Sequence, residues 1–281
     1  RIPSFRFPER AIRTMGKMWW WKNNVDLRSA YETTHSHSAG VLPEQDSIKQ
    51  VIAKAKKEKR SVLNNFESNE ILKGWGINTP PTADIKTLKE ALQFTSEHGW
   101  PVVLKVSSSK ILHKSDLGGV IVNINNRQKL QSSLKTMQER ISKLDPEVRR
   151  HTKIQIQKQV TGGKEIIVGV KHDANFGPVM MFGAGGTLAE IIQDRNLKML
   201  PINEHEATDL IEQSKIFKLL EGYRGEKPYD TTRLKKLLTQ VSNLVQNFPD
   251  IADIEINPVI ITYDNVWAVD GKIMLHEHTA E

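Results

Sequence analysis

Residues 99–123 read GWPVVLKVSSSKILHKSDLGGVIVN, and the rest of the chain can be interpreted outward from them. Val102, Val103, Leu104 and Val106 form an almost unbroken aliphatic run, the pattern of a buried strand. Lys105 interrupts that run, where a cation is costly without an anionic partner. Something negative is therefore expected to meet Lys105. Residues 112–119 bring His113, Lys114, Ser115 and Asp116 ahead of Gly118-Gly119, and a second short strand is expected over residues 120–123. Glycines can take positive φ, so successive backbone N–H groups there can turn toward an anion. Together these features read as a phosphate site. Each part also has an ordinary alternative: a strand lysine snorkelling at a sheet edge, a Gly-Gly that is only a turn, a loop histidine that is only solvated.

The chain of 281 residues, 38% of them hydrophobic, can build one large domain or two modest ones. No apolar run reaches the ~18–20 residues of a membrane span, so no membrane is expected. With no cysteine, disulfides, thiolate metal sites and cysteine nucleophiles are excluded, and a cytoplasmic location is the default. The formal charge of +7 is spread along the chain rather than gathered beside aromatics. Phosphate-bearing small ligands account for it, and no nucleic acid is expected. The first residue is Arg1, which suggests a fragment or a processed chain.

Upstream of the central stretch, residues 1–22 read as an extended piece and a short helix from about Pro8, with Trp19-Trp20-Trp21 as a conspicuous apolar cluster. That cluster suits local packing or an interface. Residues 23–46 are polar and aperiodic and read as a linker, in which His35 and His37 lack the company a metal site needs. Helices are expected over residues 47–60, 69–75 and 84–98, the first with a lysine-rich solvated face. Downstream, residues 127–144 carry a clean helical stripe. Residues 154–160 and 165–170, joined by Thr161-Gly162-Gly163-Lys164, read as a β-hairpin. A buried strand over 179–182 runs into Gly183-Ala184-Gly185-Gly186, then short helices are expected over 204–213 and 216–220 and a long one over 232–248.

A second chemical cluster lies in residues 251–270. Along a strand Asp253, Glu255 and Asn257 share a face while Ile254 and Ile256 fill the core. If Asp264-Asn265 is a two-residue hairpin turn, Asp270 falls opposite Val259 and on the same face as Asn257, diagonally ~7–8 Å away. Magnesium, keeping waters and phosphate ligands, can bridge that gap. A solvated polar face of an edge hairpin is the alternative.

The string PVVLK followed by ILHKSDLGGV, the FGAGG loop, and E-x-N-P with a later V-D-G resemble the ATP-grasp part of ADP-forming (NDP-forming) acyl-CoA synthetases, relatives of the succinyl-CoA synthetase β-subunit. The resemblance covers roughly residues 47–275. It implies an α+β, ATP-grasp fold whose two lobes clasp a nucleotide, the smaller near residues 82–160, within an ATP-grasp domain of 47–281. Residues 1–22 would be the closing helix of an upstream ligase-CoA-type domain. It further implies ATP/ADP and Mg2+ as cofactors, with Lys105, Gly118 and Gly119 on phosphates, the backbone from Gln157 to Val160 along the adenine, and Glu165 accepting from a ribose hydroxyl or facing the nucleotide. His113 would be the phosphohistidine carrier steadied by Glu255, and Asn257 and Asp270 would hold the metal. No CoA-binding domain is visible, so a CoA-binding part, as a separate subunit or upstream domains, is the implied partner, in an oligomer that uses a carboxylic acid, CoA and phosphate. A carboxylate–amine ligase of the same fold would keep Lys105 and the metal ligands but has no use for His113. A nucleotide-sensing domain fused to an acyltransferase would bind without transferring.

Overall fold

The computed structural model describes residues 4–35, 45–108, 118–186 and 194–276. The chain divides into two units, residues 1–42 and 43–281. The first unit contains one helix, α1 (Pro8–His35). It opens on a proline, whose fixed φ suits a first helical turn. It also runs through the first part of the expected linker, because residues 23–35 contain neither glycine nor proline to stop it. Ile12, Met15, Met18, Trp19 and Trp21 are exposed along it.

The second unit holds two antiparallel sheets, a four-stranded one in the order β1-β4-β2-β3 and a six-stranded one. The smaller consists of β1 (Thr82–Ile85), β2 (Val102–Ser108), β3 (Val120–Ile124) and β4 (Thr152–Lys158). One face is covered by α4 (Leu88–His98) and α5 (Arg127–Ser142), so that Leu104, Val106, Ile154 and Ile156 pack on Phe94, Leu130, Leu134 and Met137. The expected helix over 84–98 starts late because Thr87 and Glu90 form a capping box, which leaves Asp84 and Ile85 to pair with β4. Proline likewise starts a new short helix, α6 (Pro146–Arg150), beyond α5.

The larger sheet runs β10-β8-β5-β6-β7, with β9 on β8. Its strands are β5 (Lys164–Asp173), β6 (Gly177–Ala184), β7 (Asn196–Met199), β8 (Ile251–Ile261), β9 (Val266–Ala268) and β10 (Gly271–Leu275). Ile166, Val168, Met180, Phe182, Ile254 and Ile256 on one face share a core with α2 (Gln45–Lys57), α3 (Asn65–Gly74), α7 (Glu204–Glu212), α8 (Phe217–Leu220) and α9 (Thr232–Asn247). The opposite face carries Ile167, Met181, Glu255 and Lys272 and lines an open groove of about 930 Å³. At the end of β6 the chain is tightly threaded: a Cβ on Gly183 would overlap the backbone of Asp194, whose carboxylate accepts from the N–H groups of Lys215 and Ile216.

The hairpin expected from β4 and β5 does not form. β4 lies inside the small sheet between β1 and β2, whereas β5 lies inside the large one between β6 and β8. Residues 159–163 are thus a crossing between lobes, bent at Gly162 and Gly163, both at positive φ, and a Cβ on Gly163 would overlap the Ile261 carbonyl. A local turn signal lost to tertiary pairing on both sides. The small lobe is entered through residues 77–81 and left through 159–163, and Lys158 N–H donates to the Pro81 carbonyl at 2.9 Å where the two connections meet.

Candidate active site

Lys105 is buried on β2 and faces away from the helices of its own lobe. Its Nζ donates to the Val269 carbonyl at 3.3 Å and lies 3.8 Å from Asp270 Oδ2. The anionic partner its burial demands is therefore on the other lobe, in the gap between β9 and β10. Gln157 joins the same point, its Nε2 donating to the Val269 carbonyl at 3.0 Å and to Thr82 Oγ1 at 3.1 Å. The two sheets are pinned together at one peptide group.

Asp270 lies directly across from Asn257, not diagonally from it. The connection between β8 and β9 is a four-residue loop over residues 262–265, closed by Thr262 N–H on the Asn265 carbonyl at 2.8 Å, so Val259 pairs with Ala268. That register continues to Gly271 opposite Ile256, and Asn257 N–H donates to the Asp270 carbonyl at 2.9 Å. Thr262 and Asn265 close the loop with side-chain bonds a two-residue turn would lack. Opposed residues share a face, so the amide of Asn257 and the carboxylate of Asp270 still stand on one side. Glu255 is exposed two residues earlier on the same strand, opposite Lys272.

Gly118 has φ of 57°, and its carbonyl accepts from the Arg140 guanidinium; Gly119 accepts from Val106 N–H at 2.7 Å. His113 and the other residues of 109–117 lie outside the described residues. The backbone of Gln157 is committed to the sheet, and the N–H groups of Lys158 and Gln159 go to the carbonyls of Pro81 and Pro101. The side chain of Gln157 reaches the cleft, and of the four N–H groups in residues 157–160 that of Val160 lies beyond these bonds. Glu165 sits against the glycine loop: its carbonyl accepts from Gly185 N–H at 2.9 Å, and a Cβ on Gly186 would overlap its carboxylate.

Sequence reasoning overlooked Asn65, which donates Nδ2–H to Asp270 Oδ1 at 2.7 Å, and Gln155, which pairs with Lys105 across β4 and β2. Gln155 is 1% exposed and its Nε2 has no hydrogen-bond partner among the described residues. The alternation Ile154-Gln155-Ile156-Gln157 was the available signal, since glutamines on a buried face require a reason.

Asn65 is in place because α3 starts four residues earlier than expected. Asn64 caps it, with Glu67 N–H on Asn64 Oδ1 at 3.0 Å and Asn64 N–H on Glu67 Oε2 at 2.9 Å, the reciprocal box that N-x-x-E encodes. Glu67 also takes a two-pronged bond from Arg60, at 2.9 and 2.8 Å, so the basic run ending at Arg60 is not wholly a solvated face. Burial pushes the Glu67 carboxyl up, but the Arg60 guanidinium and the Asn64 N–H outweigh burial and hold it below the usual carboxylate range. A carboxyl depressed by folding adds stability that is present above its unfolded value and lost as pH falls through its folded one. Glu67→Gln is expected to cost roughly 2–3 kcal/mol near pH 7 in a denaturant titration, and the difference from the native chain should shrink as the pH is lowered below the normal carboxylate value. A constant difference across that range would show that the ion pair contributes nothing.

Lys105, Asn257 and Asp270 together suit a phosphate-bound cation. The protein supplies two hard oxygen donors on one face, and a lysine ammonium stands next to one of them. Among the described residues no three His, Cys, Asp or Glu converge to hold a metal unaided, and a magnesium ion that draws part of its octahedral shell from phosphates and water needs only one or two protein donors. The described side chains fit that requirement.

The chain is similar to proteins of known family. The ATP-grasp domain family matches residues 54–275. The chain is 36% identical over 227 residues to the acetate–CoA ligase [ADP-forming] I subunit beta of Pyrococcus furiosus, covering 81% of this chain and 97% of that subunit. It is 34% identical over 264 residues to the 4-hydroxybutyrate–CoA ligase [ADP-forming] of Nitrosopumilus maritimus, covering 92% of this chain but only 36% of that protein. The acetyl-coenzyme A synthetase 1 of Ca. Korarchaeum cryptofilum, solved with coenzyme A and Mg-AMPPCP and with its phosphohistidine segment pointing towards the nucleotide binding site, superimposes with a TM-score of 0.70 at 31% identity, over 82% of this chain and 100% of that one. With its two sheets, its lysine-to-aspartate junction and these relatives, the chain belongs to the ATP-grasp domain family, in the branch represented by the ADP-forming acyl-CoA synthetases and their β subunits.

Proposed function

We propose that this chain is the nucleotide-binding and phosphoryl-transfer part of an ADP-forming acyl-CoA synthetase, which interconverts acyl-CoA, ADP and phosphate with a carboxylic acid, CoA and ATP. The observation that carries it is the meeting of Lys105 and Asp270 across the two sheets, beside Asn257. Lys105 binds a phosphate oxygen, and Gly118 and Gly119 border the same end of β2. The side chain of Gln157 and the backbone at Val160 border the nucleotide, with Glu165 behind the glycine loop. Asn257 and Asp270 would hold magnesium, which when bound neutralises phosphate charge. His113 accepts the γ-phosphoryl group: its ring nitrogen attacks phosphorus, the bond to the bridging oxygen breaks, ADP leaves, and the ring proton goes to solvent. Glu255, exposed on the open face, steadies the phosphohistidine. The reverse sequence makes ATP.

The chain spans about a third of the length of the 4-hydroxybutyrate–CoA ligase, so the remaining steps fall to a CoA-binding part. The exposed Ile12, Met15, Met18, Trp19 and Trp21 on α1 fit a closing helix that packs on that part. No described helix is long and apolar enough to cross a membrane, and a cytoplasmic site and an oligomeric assembly belong to the same proposal. The test is to incubate the native chain with γ-labelled ATP and magnesium. Label that is acid-labile and alkali-stable is expected on the protein. Nucleotide binding without any label, even with a CoA-binding subunit supplied, would leave a ligase of another kind or a sensor.

A further inference from the structure

The Asp270 carboxylate is held by a residue from α3. Asp270 occupies the gap between β9 and β10, and one of its oxygens, Oδ1, accepts from Asn65 Nδ2 at 2.7 Å, while the other, Oδ2, is turned to the Lys105 side of the cleft. An ionised carboxylate only accepts hydrogen bonds, so the amide nitrogen is the atom of Asn65 that must face it. Asn65 itself is 9% exposed, which denies its side chain the alternative of water. Two independent features press it into place. Asn64 and Glu67 fix the start of α3, and Gly271 lets the helix lie close to β10: a Cβ there would come within 2.5 Å of Leu72 Cδ1, on a side chain that is completely buried.

We propose that Asn65 is the positioning residue of the metal site, holding Asp270 by Oδ1 so that Oδ2 is presented to the cation and the nucleotide phosphates. This rests on the reading of Asp270 as a metal ligand. Hydrogen bonds to a ligating carboxylate orient it, and losing such a partner typically costs 10–100-fold in metal affinity. Asn65 bonds Oδ1 and leaves Oδ2 to the Lys105 side of the cleft, so the effect should fall on the metal alone.

The experiment is a Mn2+ titration by electron paramagnetic resonance of the 281-residue chain at saturating AMPPCP, with nucleotide affinity measured separately in chelator. Asn65→Ala is expected to weaken Mn2+ at least about tenfold while metal-free nucleotide affinity stays within about twofold. Asn65→Asp guards against misfolding, because aspartate is well tolerated in a first helical turn. It keeps the shape, removes the donor and adds repulsion, so its loss should be at least as large. Asp270→Ala should lose more than either. If both Asn65 variants bind Mn2+ like the native chain while Asp270→Ala does not, the positioning role is wrong and the metal reading stands. Native-like Mn2+ binding by Asp270→Ala would sink both, and an equal loss of metal-free nucleotide binding in the Asn65 variants would make Asn65 merely structural.

Discussion

Replacing His113 by alanine is expected to abolish labelling of the chain by γ-labelled ATP, with ATP binding preserved. The expectation follows from bond chemistry. Ser109 and Ser115 flank His113 and would give esters that survive acid, and Asp116 would give an acyl phosphate that survives neither acid nor alkali. Lys110 and Lys114 are the exceptions, since a lysine phosphoramidate shares the acid-labile, alkali-stable signature of phosphohistidine. Lys110→Ala and Lys114→Ala should therefore each keep the label that His113→Ala loses. The chain has 9 histidines in all, so acid lability alone would not identify the carrier. An imidazole is neutral near pH 7 and able to attack phosphorus without a separate base, which the neighbouring hydroxyls are not. Label that persists in His113→Ala and disappears in Lys114→Ala would move the nucleophile by one residue.

Lys105→Met is expected to slow phosphoryl transfer by roughly 10²–10³-fold, the usual loss when one preorganised charge stabiliser is removed. Folding stability should fall modestly. Lys105 is 6% exposed, so its ammonium is largely desolvated against a carbonyl and a carboxylate 3.8 Å away. Removing one member of a buried pair leaves the other charge uncompensated, a cost limited here by the exposure of the carboxylate that remains. Asp270, more exposed than Lys105, would keep its bond from Asn65. Rapid-quench transfer rates and a thermal melt on the same preparation give both halves. A variant that transfers at the native rate would remove Lys105 from the site; one that merely unfolds would make it a structural pin.

What the sequence made legible, and what it concealed, divides along physical lines. Lys105 stood out because a cation inside an aliphatic strand must be answered by something, and the answer, Asp270, came from the other lobe. Asp253, Glu255 and Asn257 could be placed because strand alternation is a period-two property of the local chain, and Ile254 and Ile256 are indeed buried between them. Register was less accessible: the length of the loop at residues 262–265 depends on side-chain bonds by Thr262 and Asn265 that no spacing rule specifies. The separation of β4 from β5 was hidden altogether, since a Gly-Gly between alternating segments looks the same whether the chain turns back or crosses over. Asn65 went unnoticed for a related reason. Its task depends on a partner some 205 residues away, and only the capping box at Asn64 and Glu67 was written locally.

The small lobe hangs from the rest of the unit by two ropes, residues 77–81 and 159–163, tied together where Lys158 N–H meets the Pro81 carbonyl. A body suspended at one point can swivel in any direction; one suspended from two adjacent strands knotted side by side behaves as a door on a hinge post. The latch of that door is the Val269 carbonyl, gripped by Lys105 and Gln157 from the moving leaf. Swinging it open breaks those two bonds together and withdraws the lysine from the aspartate in the same stroke. Mouth and charge pair are thus geared to one axis.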